Sequence, residues 1–274
     1  MLREQLWRAT MICILLVSAA CSDHERPMQR DRVDDVTPPS SASAGEPSCD
    51  GEWREVTPGL RRRSLCADGE TTLHHVEVDP GRWVLDAVRV APTTAPAVAR
   101  DRGAAFAINA SFFDPERRPL GVIVSDGAML QRPHPVSWQS IFSVTSDGKS
   151  SIVLPERWAE VRDGAAMGVQ AGPRLVANGR PTGATRGEPS LRSGVCITAD
   201  DRVTFFVTTM HRLYDVDEMT DLAARSEDRG GFGCRDAMLF DGGPSAQMHL
   251  ADSDISIEGD RVPAFVIARP RRPR

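Results

Sequence analysis

Two apolar runs end abruptly in residues that could do chemistry. Leu239-Phe240 leads into Asp241-Gly242-Gly243-Pro244-Ser245, and Ala107-Ile108 leads into Asn109-Ala110-Ser111-Phe112-Phe113. An Asp followed by two glycines lets the backbone take positive φ and turn N–H groups inward, which makes an anion-binding concavity beside a carboxylate. Taken singly, each stretch is also ordinary turn chemistry, and Asn109 could simply cap a strand end. Ser245 with His249 or His211 and with Asp241 invites a serine-hydrolase reading, but no Gly-x-Ser-x-Gly elbow occurs, and Ser245 and His249 stand too close in sequence to define a triad. Asp241 with Asp114 or Asp126 would suit Ca²⁺ or Mg²⁺, since hard cations take oxygen ligands; the sequence calls for no other cofactor.

These turns need strands to carry them. Alternation and β-branched content mark Leu73 to Val78, Trp83 to Val90, Ala104 to Ile108, Gly121 to Val124, Ile141 to Val144, Ser151 to Leu154, Gly194 to Thr198, Val203 to Thr208, Ala237 to Phe240 and Val262 to Ala268 as strands. Ser146-Asp147-Gly148 and Ala199-Asp200-Asp201 read as hairpin turns. One helix stands out, Val216 to Ala224, with Asp215 as N-cap and Glu218 three residues on. The expected class is α+β: a mostly antiparallel or mixed β-sheet core with a few flanking helices.

The ends of the chain read differently. Arg3 and Arg8 precede the charge-free run Met11 to Ala20, which is too short to span a bilayer and ends in small residues before Cys21. This resembles a bacterial lipoprotein signal, and the resemblance implies lipidation of Cys21 and outer-membrane sorting; plain secretion is the alternative. Residues 1–20 are thus expected to be a signal peptide, 21–47 a polar Pro/Ser-rich tether, 48–268 one domain and 269–274 a basic tail. With 33 basic against 38 acidic side chains the net charge is −5, which argues against a nucleic-acid surface and leaves membrane contact to the N-terminal lipid. Of six cysteines, four remain in the domain. Three pairings are possible, and the strand pattern favours Cys49 with Cys66 and Cys196 with Cys234. No Cys-x-x-Cys spacing points to zinc.

In chain order, Asn109-Ala-Ser-Phe-Phe113, Gly121, Asp126-Gly127, Gly172-Pro-Arg-Leu-Val176, Asn178-Gly179, Arg192-Ser-Gly-Val195 and Asp241-Gly-Gly-Pro-Ser245 with Gln247 form a set. The set resembles the phosphodiester glycosidase family over about Val56 to Ile267. Ala110 and Ser111 depart from it, because relatives carry glycines there, and Thr209-Met210-His211-Arg212 replaces a common Asp-Gly-Arg, so only Arg212 carries over. The resemblance implies an exported hydrolase that splits a sugar from a phosphodiester, with a carbohydrate or sugar-phosphate as its partner molecule. Asp241 would then be nucleophile or base, opposite Asp114 or Asp126 as a second carboxylate. Arg174 and Arg192 would clamp the phosphate together with the Gly242 and Gly243 amides. Asn109, Ser245 and Gln247 would bind sugar hydroxyls, and Phe112, Phe113 or Trp138 would offer the ring an apolar face. A glycan-binding lipoprotein without activity and a plain glycoside hydrolase are the other readings.

Overall fold

Turn chemistry sets the local pairing. In the computed structural model, which describes residues 49–184 and 187–271, Asp147-Gly148 closes the hairpin between strands Ser140–Thr145 and Ser150–Val153, with Gly148 at φ 90°. Asp201, at φ 63°, sits in the turn joining Ser193–Thr198 to Val203–Thr208. Aspartate tolerates the left-handed region better than most non-glycine residues.

The strands assemble into three sheets. The large sheet runs Arg54–Thr57, Leu60–Ala67, Glu70–Val78, Val203–Thr208, Ser193–Thr198, Cys234–Leu239, Arg174–Ala177, Arg180–Pro181. The second runs Ala128–Gln131, Ile123–Ser125, Ala165–Ala171, Ser140–Thr145, Ser150–Val153. The third runs Ser256–Ile257, Met248–Leu250, Phe106–Asn109, Val262–Pro270, Trp83–Thr93. Every ladder among the described residues is antiparallel, so the mixed pairing allowed from sequence does not occur there. The helices are few, and the α+β label holds only loosely.

Alternate side chains explain the layering. Val195, Phe205 and Met238 of the large sheet, Phe142, Met167 and Val169 of the second, and Phe106, Ile108 and Val266 of the third share one buried core. A fully buried Phe or Leu contributes about 1.5–3 kcal/mol. The outward faces are covered separately. Helix Val216–Ala224 lays Val216, Met219 and Ala223 on Leu175, Phe206 and Leu239. Its start is the expected capping box: the Glu218 N–H donates to Asp215 (2.8 Å) and the Asp215 N–H donates to Glu218 (3.1 Å). A second helix, Ala95–Arg102, covers the third sheet through Ala95, Val98 and Ala99. Trp158, in the 3₁₀ turn Pro155–Glu160, covers the second.

Both disulfides form as paired from the strand pattern, Cys49–Cys66 and Cys196–Cys234, with Cα atoms 5.3 and 5.5 Å apart. The last strand continues to Pro270, so Arg269 and Pro270 belong to the sheet rather than to a tail, and Arg269 pairs with Asp86 (2.9 Å). The signal segment, the tether and Cys21 lie outside the described residues. Among the described residues no helix is long and apolar enough to cross a membrane.

Candidate active site

The large and third sheets meet at Asp241. Leu239, the last residue of its strand in the large sheet, donates its N–H to the Pro173 carbonyl (3.0 Å), just past the end of the second sheet's Ala165–Ala171. Phe240 donates to the Ser193 carbonyl (2.8 Å), at the start of the neighbouring strand. Asp241 itself donates to the Ala110 carbonyl (2.9 Å), one residue beyond the third sheet's Phe106–Asn109. Its own carbonyl accepts from Asn109 Nδ2 (2.7 Å) and Ser193 Oγ (3.2 Å). One backbone bond to the end of a third-sheet strand and side-chain donors from the third and large sheets therefore fix this residue, while its side chain stays out of the ladders.

Burial dominates the electrostatics of that side chain. It pushes the Asp241 carboxyl up to about 6, against hydrogen bonds from the Ser245 hydroxyl and the Gly242 backbone that pull it down. No charged partner offsets the burial among the described residues. A carboxylate kept near neutrality in this way is suited to proton transfer or nucleophilic work at ordinary pH.

The two expected arginines have different fates. Arg192 stands just ahead of the Ser193–Thr198 strand, where its Nε donates to the Tyr214 carbonyl (2.9 Å) and its Nη2 to the Glu188 carbonyl (2.7 Å). Its remaining nitrogen, Nη1, faces the turn: a side-chain carbon at Gly242 would lie 3.6 Å from it. No carboxylate pairs with this guanidinium among the described residues; burial lowers its pKa, and the charge of Asp215 partly restores it. Arg174 is committed elsewhere. Its Nη2 binds Asp236 Oδ1 (2.6 Å) and its Nε donates to the Val176 carbonyl (3.3 Å). Asp236 precedes Asp241 by five residues, roughly 16 Å along an extended chain.

Several other expected ligand contacts are already spent inside the protein. Gly243 donates its N–H to the Leu191 carbonyl (2.9 Å), so that amide is not open to an anion. The glycines are needed for another reason: a side chain at Gly242 would meet the Leu191 oxygen at 2.9 Å, and Gly243 has φ 59°. Asn109 is buried, with Oδ1 accepting from the Gln247 N–H (3.1 Å) and Nδ2 on Asp241, so it positions the turn rather than facing a sugar. Gln247 is wholly buried as well. It accepts the Ala95 N–H (2.7 Å) at the start of the second helix and donates to the Asp260 carbonyl (2.6 Å). Ala110 and Ser111 are both buried, so the side chains that replace glycine there fill protein rather than a cleft.

The aromatic residues divide by strand parity. Phe112 meets half-exposed Trp138 edge-on, ring centroids 5.4 Å apart. The Trp138 backbone lies against Gly172, next to Pro173, which puts this pair at the same junction as Asp241. Phe113 packs on the opposite side, against the cluster under helix Ala95–Arg102 and beneath Arg117 (4.9 Å). Asp114 pairs with Arg118 (2.7 Å). Asp126 faces Arg269 (3.5 Å), four residues along the strand from Phe265, the partner of Asn109; that is about 13 Å from the junction. Both carboxylates thus face arginines. Arg212 pairs with Glu218 (2.8 Å), His211 approaches Glu70 (3.6 Å) and His249 approaches Ser256 (3.4 Å), which leaves no His on Ser245. Among the described residues no cluster of three His, Cys, Asp or Glu is arranged around a possible metal ion.

Sequence comparison decides the family. The phosphodiester glycosidase family matches residues 102–271, more than half of the chain. The chain belongs to the phosphodiester glycosidase family. Its fold is similar to the catalytic domain of zebrafish N-acetylglucosamine-1-phosphodiester α-N-acetylglucosaminidase, solved in a form auto-inhibited by its pro-peptide: TM-score 0.63, 15% identity, 78% of this chain and 85% of that one. A hypothetical protein from Synechocystis is similar at TM-score 0.55 and 16% identity, over 78% of this chain and 63% of that one. Comparison with the curated proteins returned no match.

Proposed function

We propose that this protein is an exported glycosidase that hydrolyses a sugar linked through phosphate, with Asp241 as its working carboxylate and Arg192 as its phosphate-binding group. The observation that carries the reading is one turn approached by two opposite groups: the half-buried Asp241 carboxyl, with no cation to offset its burial, immediately precedes Gly242, and Arg192 Nη1, bound to no carboxylate among the described residues, lies 3.6 Å from where a side-chain carbon at Gly242 would stand. A substrate that brings an electrophilic carbon and an anion together satisfies both. Membership of the family and the fold shared with an N-acetylglucosamine-1-phosphodiester α-N-acetylglucosaminidase support it.

In the reaction the anomeric carbon–oxygen bond breaks and the phosphate leaves with the electron pair. Phosphate is a stable anion and needs little proton donation, so a site with one carboxylate suffices. Ionised Asp241 either attacks the anomeric carbon, forming a glycosyl ester that water then hydrolyses to free the sugar and the carboxyl, or takes a proton from the water that attacks that carbon directly. Nη1 of Arg192 neutralises the departing phosphate, and the Phe112–Trp138 pair offers the sugar ring an apolar face. Arg174 has no part in this scheme. The two disulfides suit an oxidising compartment outside the cytoplasm, and anchoring through Cys21 is part of the proposal.

The mature full chain, incubated with a panel of sugar 1-phosphodiesters and with aryl glycosides lacking phosphate, should release sugar from the diesters and lose that activity in Asp241→Asn. Equal inactivity of wild type and variant across the diesters, with glycan binding preserved, would establish a binding protein instead. Cleavage of aryl glycosides that ignores Arg192→Gln would establish a plain glycoside hydrolase.

A further inference from the structure

The segment that delivers Arg192 carries a second unspent donor. Ser190 lies two residues earlier and is pinned by reciprocal backbone bonds with Tyr214: each N–H donates to the other's carbonyl at 3.0 Å. That bridge fixes the backbone that presents both residues, and the Tyr214 carbonyl also receives Arg192 Nε. The Ser190 hydroxyl has no hydrogen-bond partner among the described residues. It faces the turn after Asp241, where a side-chain carbon at Gly243 would lie 3.5 Å from its oxygen. Nη1 of Arg192 stands in the same relation to Gly242 at 3.6 Å. Two donors on one segment, neither spent on a carboxylate, therefore stand against two adjacent glycines of the turn that follows Asp241.

We infer that Ser190 is a substrate-binding residue that completes the anion site, donating its hydroxyl to one phosphate oxygen while Arg192 Nη1 takes another. The inference rests on the reading of Arg192 as the phosphate-binding group. It assigns the selectivity for a tetrahedral oxyanion to a Ser/Arg pair rather than to the Gly243 amide, which is already bound to Leu191. A hydroxyl donating to an anion is a charge-assisted bond, and its loss weakens binding by roughly ten- to a hundredfold.

The test is titration of the mature full chain with inorganic phosphate, followed by ³¹P line broadening, in wild type, Ser190→Ala, Ser190→Thr and Arg192→Gln, with a thermal midpoint for each. Ser190→Ala should weaken phosphate binding by about tenfold or more at an unchanged midpoint, Ser190→Thr should keep it, and Arg192→Gln should abolish it. If Arg192→Gln loses phosphate and Ser190→Ala binds it as wild type does, the role of Ser190 is overturned and the sugar-phosphate reading stands. If wild type binds no phosphate, or neither variant changes its binding, both fall. If Ser190→Ala and Ser190→Thr lose binding together with a lowered midpoint, the residue is structural and the inference fails.

Discussion

Asp236 and Asp241 lie on one stretch of chain, the first inside the strand Cys234–Leu239 and the second just past its end. Asp236 accepts from Arg174 (2.6 Å), Arg235 (3.0 Å) and the Asn178 N–H (3.2 Å). The Asp241 carboxyl has no cation partner among the described residues, and burial pushes it up to about 6. Asp236 is buried and Asp241 half-buried, yet it is Asp241 whose carboxyl is pushed up. The counter-charge makes the difference: Asp236 is neutralised within the fold, and Asp241 has no cation partner among the described residues. The arginines divide in the same way, Arg174 being spent on Asp236 and Arg192 held only by carbonyls.

The contrast can be attacked from both sides. Asp241→Asn should lower turnover of a sugar phosphodiester by about 10²–10⁴-fold, and wild-type kcat/KM should rise through a pH near 6 as the carboxyl ionises; a profile flat from pH 5 to 8 would remove Asp241 from the chemistry. Arg192→Gln should cost about 10²–10³-fold in kcat, with little effect on any neutral glycoside. The same Asp241→Asn change should stabilise the fold. A native pKa near 6 lies about two units above the unfolded value, so wild type is penalised above pH 6 by about 3 kcal/mol and not at all below about pH 3.5. Urea unfolding of the two proteins should therefore diverge at pH 7.5 and converge in acid. Arg174→Met should act in the opposite sense, destabilising by about 2 kcal/mol through a largely buried Asp236 that keeps one arginine, with activity per folded molecule unchanged. Trp138→Ala should be mildest, raising KM a few-fold with the same kcat, because a half-exposed ring offers surface rather than charge.

Local features were legible in the sequence. The helix Val216–Ala224, its capping box and both hairpin turns follow from residue spacing, and the disulfides follow from which strands the pattern brings together. The junction at Asp241 was legible as well, because two apolar runs end in polar turns. What the residue types could not disclose was the use of each group. Gln247 satisfies the first amide of a helix that begins 152 positions earlier. That helix, Ala95–Arg102, was missed for the same reason, since Thr94 supplies no side-chain cap of its own. The guanidinium of Arg174 is claimed from 62 residues away, and no local spacing encodes that claim. Ser190 escaped notice because a serine in a loop carries no signal until the turn opposite it is known.

The covalent link between Cys49 and Cys66 has a mechanical corollary. Any pull on the chain ahead of Cys49 enters the fold near the rim of the large sheet, through the strand Leu60–Ala67. From there Glu70–Val78, Val203–Thr208 and Ser193–Thr198 intervene before Cys234–Leu239, a span of roughly 19 Å at the usual spacing of neighbouring strands. Tension entering there would be borne by that sulfur bond and the outer ladders, leaving Asp241 undisturbed.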